Sequence, residues 1–226
     1  MANDYEKELA ARASLKYVHD GQIVGLGTGS TATIAIRYLG ERVRDGLKVR
    51  GIPTSVQSRD LAIQLGIPLT TFEEYQEIDV TIDGADEFDP DLNLIKGGGG
   101  AMLREKVVAS ATKQLVIVTD SSKQVPVLGG FPLPVEVITF AEPLVAKKIS
   151  DRGAIVARRC DPSGKPYTTD EGHHILDCHF GKISDPVTLA RGLSDMPGVV
   201  EHGLFVGMAS VVLMAKAGAV AEFHRS

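Results

Sequence analysis

The sequence predicts an α/β protein: a parallel-sheet domain carrying a smaller, inserted α+β domain. Three observations predict it. Short apolar runs alternate with segments of ten or more residues whose apolar positions recur at helical spacing, the pattern of a parallel sheet covered on both faces. The texture then changes after Gly129-Gly130, where two strand-like runs follow one another across a Pro/Gly/Asp-rich turn region at Asp161–Gly172. Finally, Met208–Ala215 is apolar and β-branched enough to rejoin the first sheet.

Asn3 is a candidate N-cap for the first helix, with Glu6 in capping-box position, and Leu9, Ala13 and Tyr17 recur at helical spacing up to Asp20-Gly21. Gln22–Leu26 reads as a strand ending in glycines. Ser30–Val43 is again helical through Ile34, Ala35, Tyr38 and Leu39. The alternation continues with a strand at Val49–Ile52, a helix at Val56–Leu65 and a strand at Val80–Ile82. After a glycine tract, a helix at Met102–Thr112 leads to the strongly apolar strand Leu115–Val118.

From Phe131 to Phe205 the elements run strand (Val135–Ile138), helix (Pro143–Asp151), strand (Ala154–Arg158), strand (His174–Phe180), helix (Pro186–Leu193) and strand (Val199–Gly203). This β-α-β-β-α-β order is that of ferredoxin-like domains. The expected division is therefore 1–130 plus 206–226 for the large domain and 131–205 for the small one.

Composition narrows the function classes. The chain has 226 residues, 43% apolar and 23% charged, with a net charge of −5, so no global positive field recruits nucleic acid or acidic lipid. An anionic small ligand would need positive charge gathered locally. Cys160 and Cys178 are too few for a disulfide framework, and MANDYEKELAAR has no apolar signal region; the cytoplasm is the expected compartment. Leu204–Phe223 approaches the length of a membrane span, but Lys216 and Glu222 interrupt it, and buried strands account for it better.

Three motifs carry chemistry. GLGTGST at 25–31 follows a strand and opens a helix, where unpaired backbone N–H groups and the helix dipole favour an anion. Ser30 stands where a dinucleotide fingerprint needs its third glycine, and no lysine follows as a P-loop requires. The turn suits one phosphate, held by N–H groups and the hydroxyls of Thr28, Ser30 and Thr31; a tight turn with hydroxyl caps is the plainer alternative.

DGADE at 83–87 closes a strand at its carboxyl end, where open α/β sheets place ligands. Crowded carboxylates shift each other's proton affinity, which suits acid–base work. A solvated acidic loop is the alternative, and the spacing does not fit a calcium loop. KGGGGAMLREK at 96–106 puts four glycines between Lys96 and the helix bearing Glu105. Such a tract is conformationally expensive but lets backbone approach a ligand closely. Lys96 can then meet an oxygen that becomes negative, while Glu105 points over the same pocket or pairs with Arg104 or Lys106 at the surface.

Other features stay quiet. His173, Asp177 and His179 share one strand face, opposite Cys178 and Phe180, so they read as a polar face rather than a zinc site. No nucleophile elbow or Cys/His pair is evident.

GLGTGST, DGADE, KGGGGAMLREK and TDSSK at 119–123, in this order, resemble ribose-5-phosphate isomerases of the A type, as does MPGVVEHGLF at 196–205. The matches spread over nearly the whole chain; PTSVQS at 53–58 is a looser one. The resemblance implies a Rossmann-like core with a ferredoxin-like small domain, in homodimers or homotetramers. It implies interconversion of D-ribose 5-phosphate and D-ribulose 5-phosphate in the pentose phosphate pathway, without metal or organic cofactor, and no nucleic-acid or membrane partner. Carried onto this chain, Glu105 is the general base, Asp83 assists ring opening, and Asp86 and Lys96 flank the reacting oxygens. Thr28, Gly29, Ser30 and Thr31 match the phosphate loop, Gly97, Gly98 and Gly99 the backbone that meets the substrate, and Lys123 and Lys7 further anchors. A related amino-sugar phosphate deaminase or a non-catalytic sugar-phosphate sensor are the readings outside this one.

Overall fold

The computed structural model describes residues 2–225. In chain order its elements are α1 (Ala2–Ser14), β1 (Ile23–Leu26), α2 (Ser30–Arg44), β2 (Arg50–Pro53), α3 (Val56–Gln64), β3 (Ile78–Asp83), β4 (Glu87–Phe88), β5 (Leu94–Ile95), α4 (Met102–Ser110), β6 (Thr112–Asp120), β7 (Leu133–Val137), α5 (Glu142–Ser150), β8 (Ile155–Arg158), β9 (His174–His179), α6 (Pro186–Ser194), β10 (Val199–His202), β11 (Leu204–Phe205), β12 (Val211–Lys216) and β13 (Ala219–His224). They divide into two compact units. The first comprises the chain up to Ala85, Arg104–Gln124 and the stretch from Met208 on; the second comprises Asp86–Leu103 and Val125–Gly207.

The first unit is built on a six-stranded sheet of order β13-β12-β6-β3-β1-β2. Its strands from β2 to β12 are parallel, and β13 closes the edge antiparallel to β12. Because helices cover parallel strands, these carry apolar residues throughout: all four residues of β1 are buried. Val24, Leu26, Val80, Ile82, Val116, Val118 and Leu213 pack with Ala10 and Ala11 of α1, Ala35, Ile36 and Leu39 of α2 and Ala62 of α3. A smaller cluster gathers Ile23, Ile52, Ile78 and Val108.

The cap at Asn3 falls on a side chain outside the described residues. The Glu6 carboxylate reaches beyond its own helix, accepting from Ser121 N (3.0 Å), Ser121 Oγ (2.8 Å) and Ala217 N (3.1 Å). These hydrogen bonds, from Ser121 first, hold its pKa below the usual carboxylate value. The helix expected to reach Thr112 stops at Ser110, because Thr112 is already paired to Ile78 as the start of β6. The apolar run from Leu204 resolves into β11, β12 and β13, and no described helix is long and apolar enough to cross a membrane.

The second unit has the β-α-β-β-α-β order, from β7 to β10, with an antiparallel sheet of order β10-β7-β9-β8. Its core joins Val135 and Val137 of β7, Val145 and Ile149 of α5, Leu176 and Cys178 of β9, and Leu193 of α6. Burial pushes the Cys178 thiol up to about 12, which makes it a packing residue, while Cys160 is exposed. A three-stranded ribbon, β11-β5-β4, completes the unit.

Candidate active site

The chain leaves β1 for β2 on one side of the sheet, while β3 lies on the other side of β1. The order reverses there, and ligands of open α/β sheets bind outside the carboxyl ends at such a point. Two of the predicted segments stand at it: Gly27–Gly29 after β1 and Asp83–Gly84 at the end of β3. Gly27 N donates to Ile82 O (3.0 Å), and Oδ1 of Asp83 accepts from Thr28 N (3.0 Å) and Gly84 N (2.8 Å). Asp83 is 1% exposed, so its carboxylate sits under the turn and fixes it.

Gly29 is the N-cap of α2 at φ +103°, a region closed to most side chains, and no side chain caps the helix. No side chain therefore covers the first-turn N–H groups, an arrangement that suits an anion. The neighbouring α3 shows the opposite treatment, its N-terminus closed by a reciprocal Ser55–Ser58 capping box. Ser30 is exposed and Thr31 buried. The Thr28 hydroxyl turns inward, donating to Ser55 Oγ (2.8 Å) and lying 2.8 Å from Thr54 Oγ1, while Thr54 Oγ1 donates to Leu26 O (2.9 Å). Thr54 and Ser55 were the looser sequence match. A hydroxyl pair at the carboxyl end of the strand beside β1 was the signal available for them.

Glu105 lies in the first turn of α4 and is only 4% exposed. That burial takes its carboxyl off the surface. The 3-10 turn Ser121–Lys123 follows β6, and Lys123 on it is half-buried. Glu6 grips this turn through Ser121, and the half-buried Lys7 is its sequence neighbour on α1.

In the second unit, Asp86 Oδ2 accepts from Gly98 N (2.7 Å) and Asp86 N donates to Ile95 O (2.8 Å). Lys96 is 3% exposed, with its ammonium 5.4 Å from the centre of the Phe205 ring and its backbone N donating to Gly203 O (2.9 Å). Gly97 adopts φ +106°, Gly100 N closes a turn onto Gly97 O (3.0 Å), and Gly98 and Gly99 are exposed. An ammonium and exposed backbone thus follow one another directly along the chain.

His173 and His174 each meet a buried carboxylate. His173 Nδ1 lies 2.9 Å from Glu136 Oε1, and His174 Nδ1 2.6 Å from Glu142 Oε2. Among the described residues no group of three or more His, Cys, Asp or Glu side chains comes together as metal ligands would.

A parallel sheet with an open helix start at its switch point, and buried carboxylates and an ammonium on the segments that follow, defines an α/β enzyme handling phosphorylated small molecules. The chain belongs to the ribose 5-phosphate isomerase A (phosphoriboisomerase A) family, whose model matches residues 50–218. It is 50% identical over 232 residues to the ribose-5-phosphate isomerase A of Nitrobacter hamburgensis, covering 100% of both chains. To that of Roseiflexus castenholzii it is 51% identical, covering 97% of this chain and 95% of the other. Its structure resembles a D-ribose-5-phosphate isomerase in complex with phospho-erythronic acid, with TM-score 0.97, 36% identity and full coverage of both chains. It also resembles ribose 5-phosphate isomerase A from Methanocaldococcus jannaschii, with TM-score 0.94, 41% identity and coverage of 98% and 99%.

Proposed function

We propose that this chain interconverts D-ribose 5-phosphate and D-ribulose 5-phosphate by proton transfer through an enediolate, with Glu105 as the base. The observation that carries the reading is the burial of Glu105 in the first turn of α4, directly after Lys96 and the glycine tract. Removing a carbon-bound proton beside a carbonyl needs a base together with a cation for the resulting oxyanion, and this segment supplies both types.

Asp83 assists opening of the furanose ring. Glu105 then removes the proton on C2; the electrons of that bond form the C1–C2 double bond, and the C1 carbonyl oxygen becomes negative. Lys96 and the N–H groups of Gly97 and Gly99 stabilise this charge, a contribution of about 10²–10³-fold for one well-placed donor. A proton passes from O2 to O1 beside Asp86, and Glu105 returns its proton to C1, leaving a carbonyl at C2. Positioned acid–base catalysis of this kind contributes about 10²–10⁴-fold. Ser30, Thr31 and the uncapped N–H groups in the first turn of α2 anchor the phosphate, with Lys7 and Lys123 adding positive charge, so that the non-reacting end orients the reacting carbons. No metal or organic cofactor takes part. As part of the same proposal, the reaction serves the pentose phosphate pathway in the cytoplasm, and the chain works as a homodimer or homotetramer.

Glu105→Gln tests the assignment: kcat for ribose 5-phosphate should fall by at least about 10³-fold with KM little changed. Turnover near that of the unaltered enzyme would remove Glu105 as the base.

A further inference from the structure

We propose that Arg159 is a positioning residue that sets the backbone of the glycine tract for catalysis, acting as a clamp from the hairpin between β8 and β9. The inference rests on the reading of that tract as the backbone that meets the developing oxyanion.

Arg159 is the residue immediately after β8, and its own backbone is fixed, with N donating to Ile175 O (2.8 Å) and O accepting from Tyr167 N (2.9 Å). Its side chain is 14% exposed. Nε donates to Asp177 Oδ2 (3.0 Å) and Nη2 to Asp177 Oδ1, so a carboxylate on β9 holds the fork in one orientation. The remaining nitrogen, Nη1, donates to two consecutive carbonyls, Gly97 O (2.8 Å) and Gly98 O (3.2 Å). An ion pair built only for stability would use the fork and leave Nη1 to solvent. Here it is spent on a segment 61 and 62 residues away in the chain.

Those two bonds decide where the tract's donors face. In a planar trans peptide the C=O and N–H point in opposite directions. The Gly97–Gly98 peptide is therefore held from both sides, its C=O by Arg159 and its N–H by Asp86. Drawing the Gly98 carbonyl to Arg159 turns the Gly99 N–H the other way. Four glycines would otherwise sample many orientations, and an oxyanion donor works only when it is aimed in advance. The hairpin supporting this clamp is itself pinned. Tyr167 covers Gly99 and Gly100, its hydroxyl 3.5 Å from Gly99 O. Thr169 Oγ1 and His173 Nδ1 each lie 2.9 Å from the buried Glu136 carboxylate of β7.

The test compares Arg159→Met and Arg159→Lys with the unaltered enzyme. The lysine keeps a charge but has no planar fork to serve Asp177 and both carbonyls together. Misaimed donors should lower kcat about 10²-fold in the methionine variant and at least about tenfold in the lysine variant, with KM for ribose 5-phosphate within about threefold. Calorimetry supplies the second readout. Phospho-erythronic acid carries a carboxylate that stands in for the enediolate oxygens, and its binding should weaken by a similar factor. Binding of inorganic phosphate should not change, which a general loosening of the fold would not produce. If circular dichroism shows Arg159→Met unfolded, the lysine variant decides. Folded variants with kcat and phospho-erythronic acid affinity both within about threefold of the unaltered enzyme would overturn the clamp. With Glu105→Gln inactive in parallel, that result would strike the clamp alone; retained turnover in Glu105→Gln would overturn the site reading and the clamp with it.

Discussion

The turn at Gly27–Thr31 and the tract at Gly97–Gly100 are both glycine-rich, and the proposed reaction gives each an anion to meet, yet they are held in different ways. The first is fixed by its immediate surroundings in the sheet. Strand β1 ends, α2 begins, and Asp83 on the adjacent strand takes the Thr28 amide at 3.0 Å. The second belongs to no regular element until α4 begins, and its carbonyls are held by Arg159 and Tyr167 from a distant hairpin. A binding turn can be specified by strand geometry; a turn that must aim donors at a transient charge needs bracing from outside. The first should therefore govern affinity and the second the rate.

The largest break in that comparison is expected on the tract side. Lys96→Met removes the buried ammonium but keeps much of its volume, and should lower kcat about 10²–10³-fold with KM nearly unchanged. Steady-state kinetics with ribose 5-phosphate reads both constants. On the other side, Gly27→Ala would place a Cβ 2.3 Å from Asp83 Oδ1 and 2.5 Å from Ile82 O. The second neighbour is backbone, so the turn itself must move. We expect a stability loss of about 1–3 kcal/mol by denaturant unfolding, together with a raised KM. Ser30→Ala should be the mildest. It removes one exposed hydroxyl from the phosphate turn, raising KM about tenfold while kcat stays within about twofold. A fall in kcat at unchanged KM for Ser30→Ala would erase the proposed division of labour.

Most of the large unit was legible in the sequence because its signals are local. The runs at Val80–Ile82 and Leu115–Val118 are central buried strands, and the Ser30–Val43 periodicity is α2 almost to the residue. What escaped depends on long-range or weak signals. Strand β13 is mostly exposed and carries no clean alternation, so only its pairing with β12 makes it a strand. Glu6 looked like a capping residue because local spacing says nothing of Ser121 and Ala217, more than a hundred positions away. The motifs announced Asp83, Asp86, Lys96 and Glu105 by residue type, but their surroundings came only from the fold: Asp83 under the Thr28 turn, Asp86 on the Gly98 amide. Arg159 follows an unremarkable strand, and nothing near it in sequence marks the carbonyls it holds.

The most direct test of the account is proton NMR of D-ribose 5-phosphate in D₂O with the purified protein and EDTA. The account predicts ribulose 5-phosphate carrying deuterium at C1, with exchange at C2 of the aldose, and no loss of rate to the chelator. Conversion that depends on an added divalent metal, or no conversion at all, would contradict it.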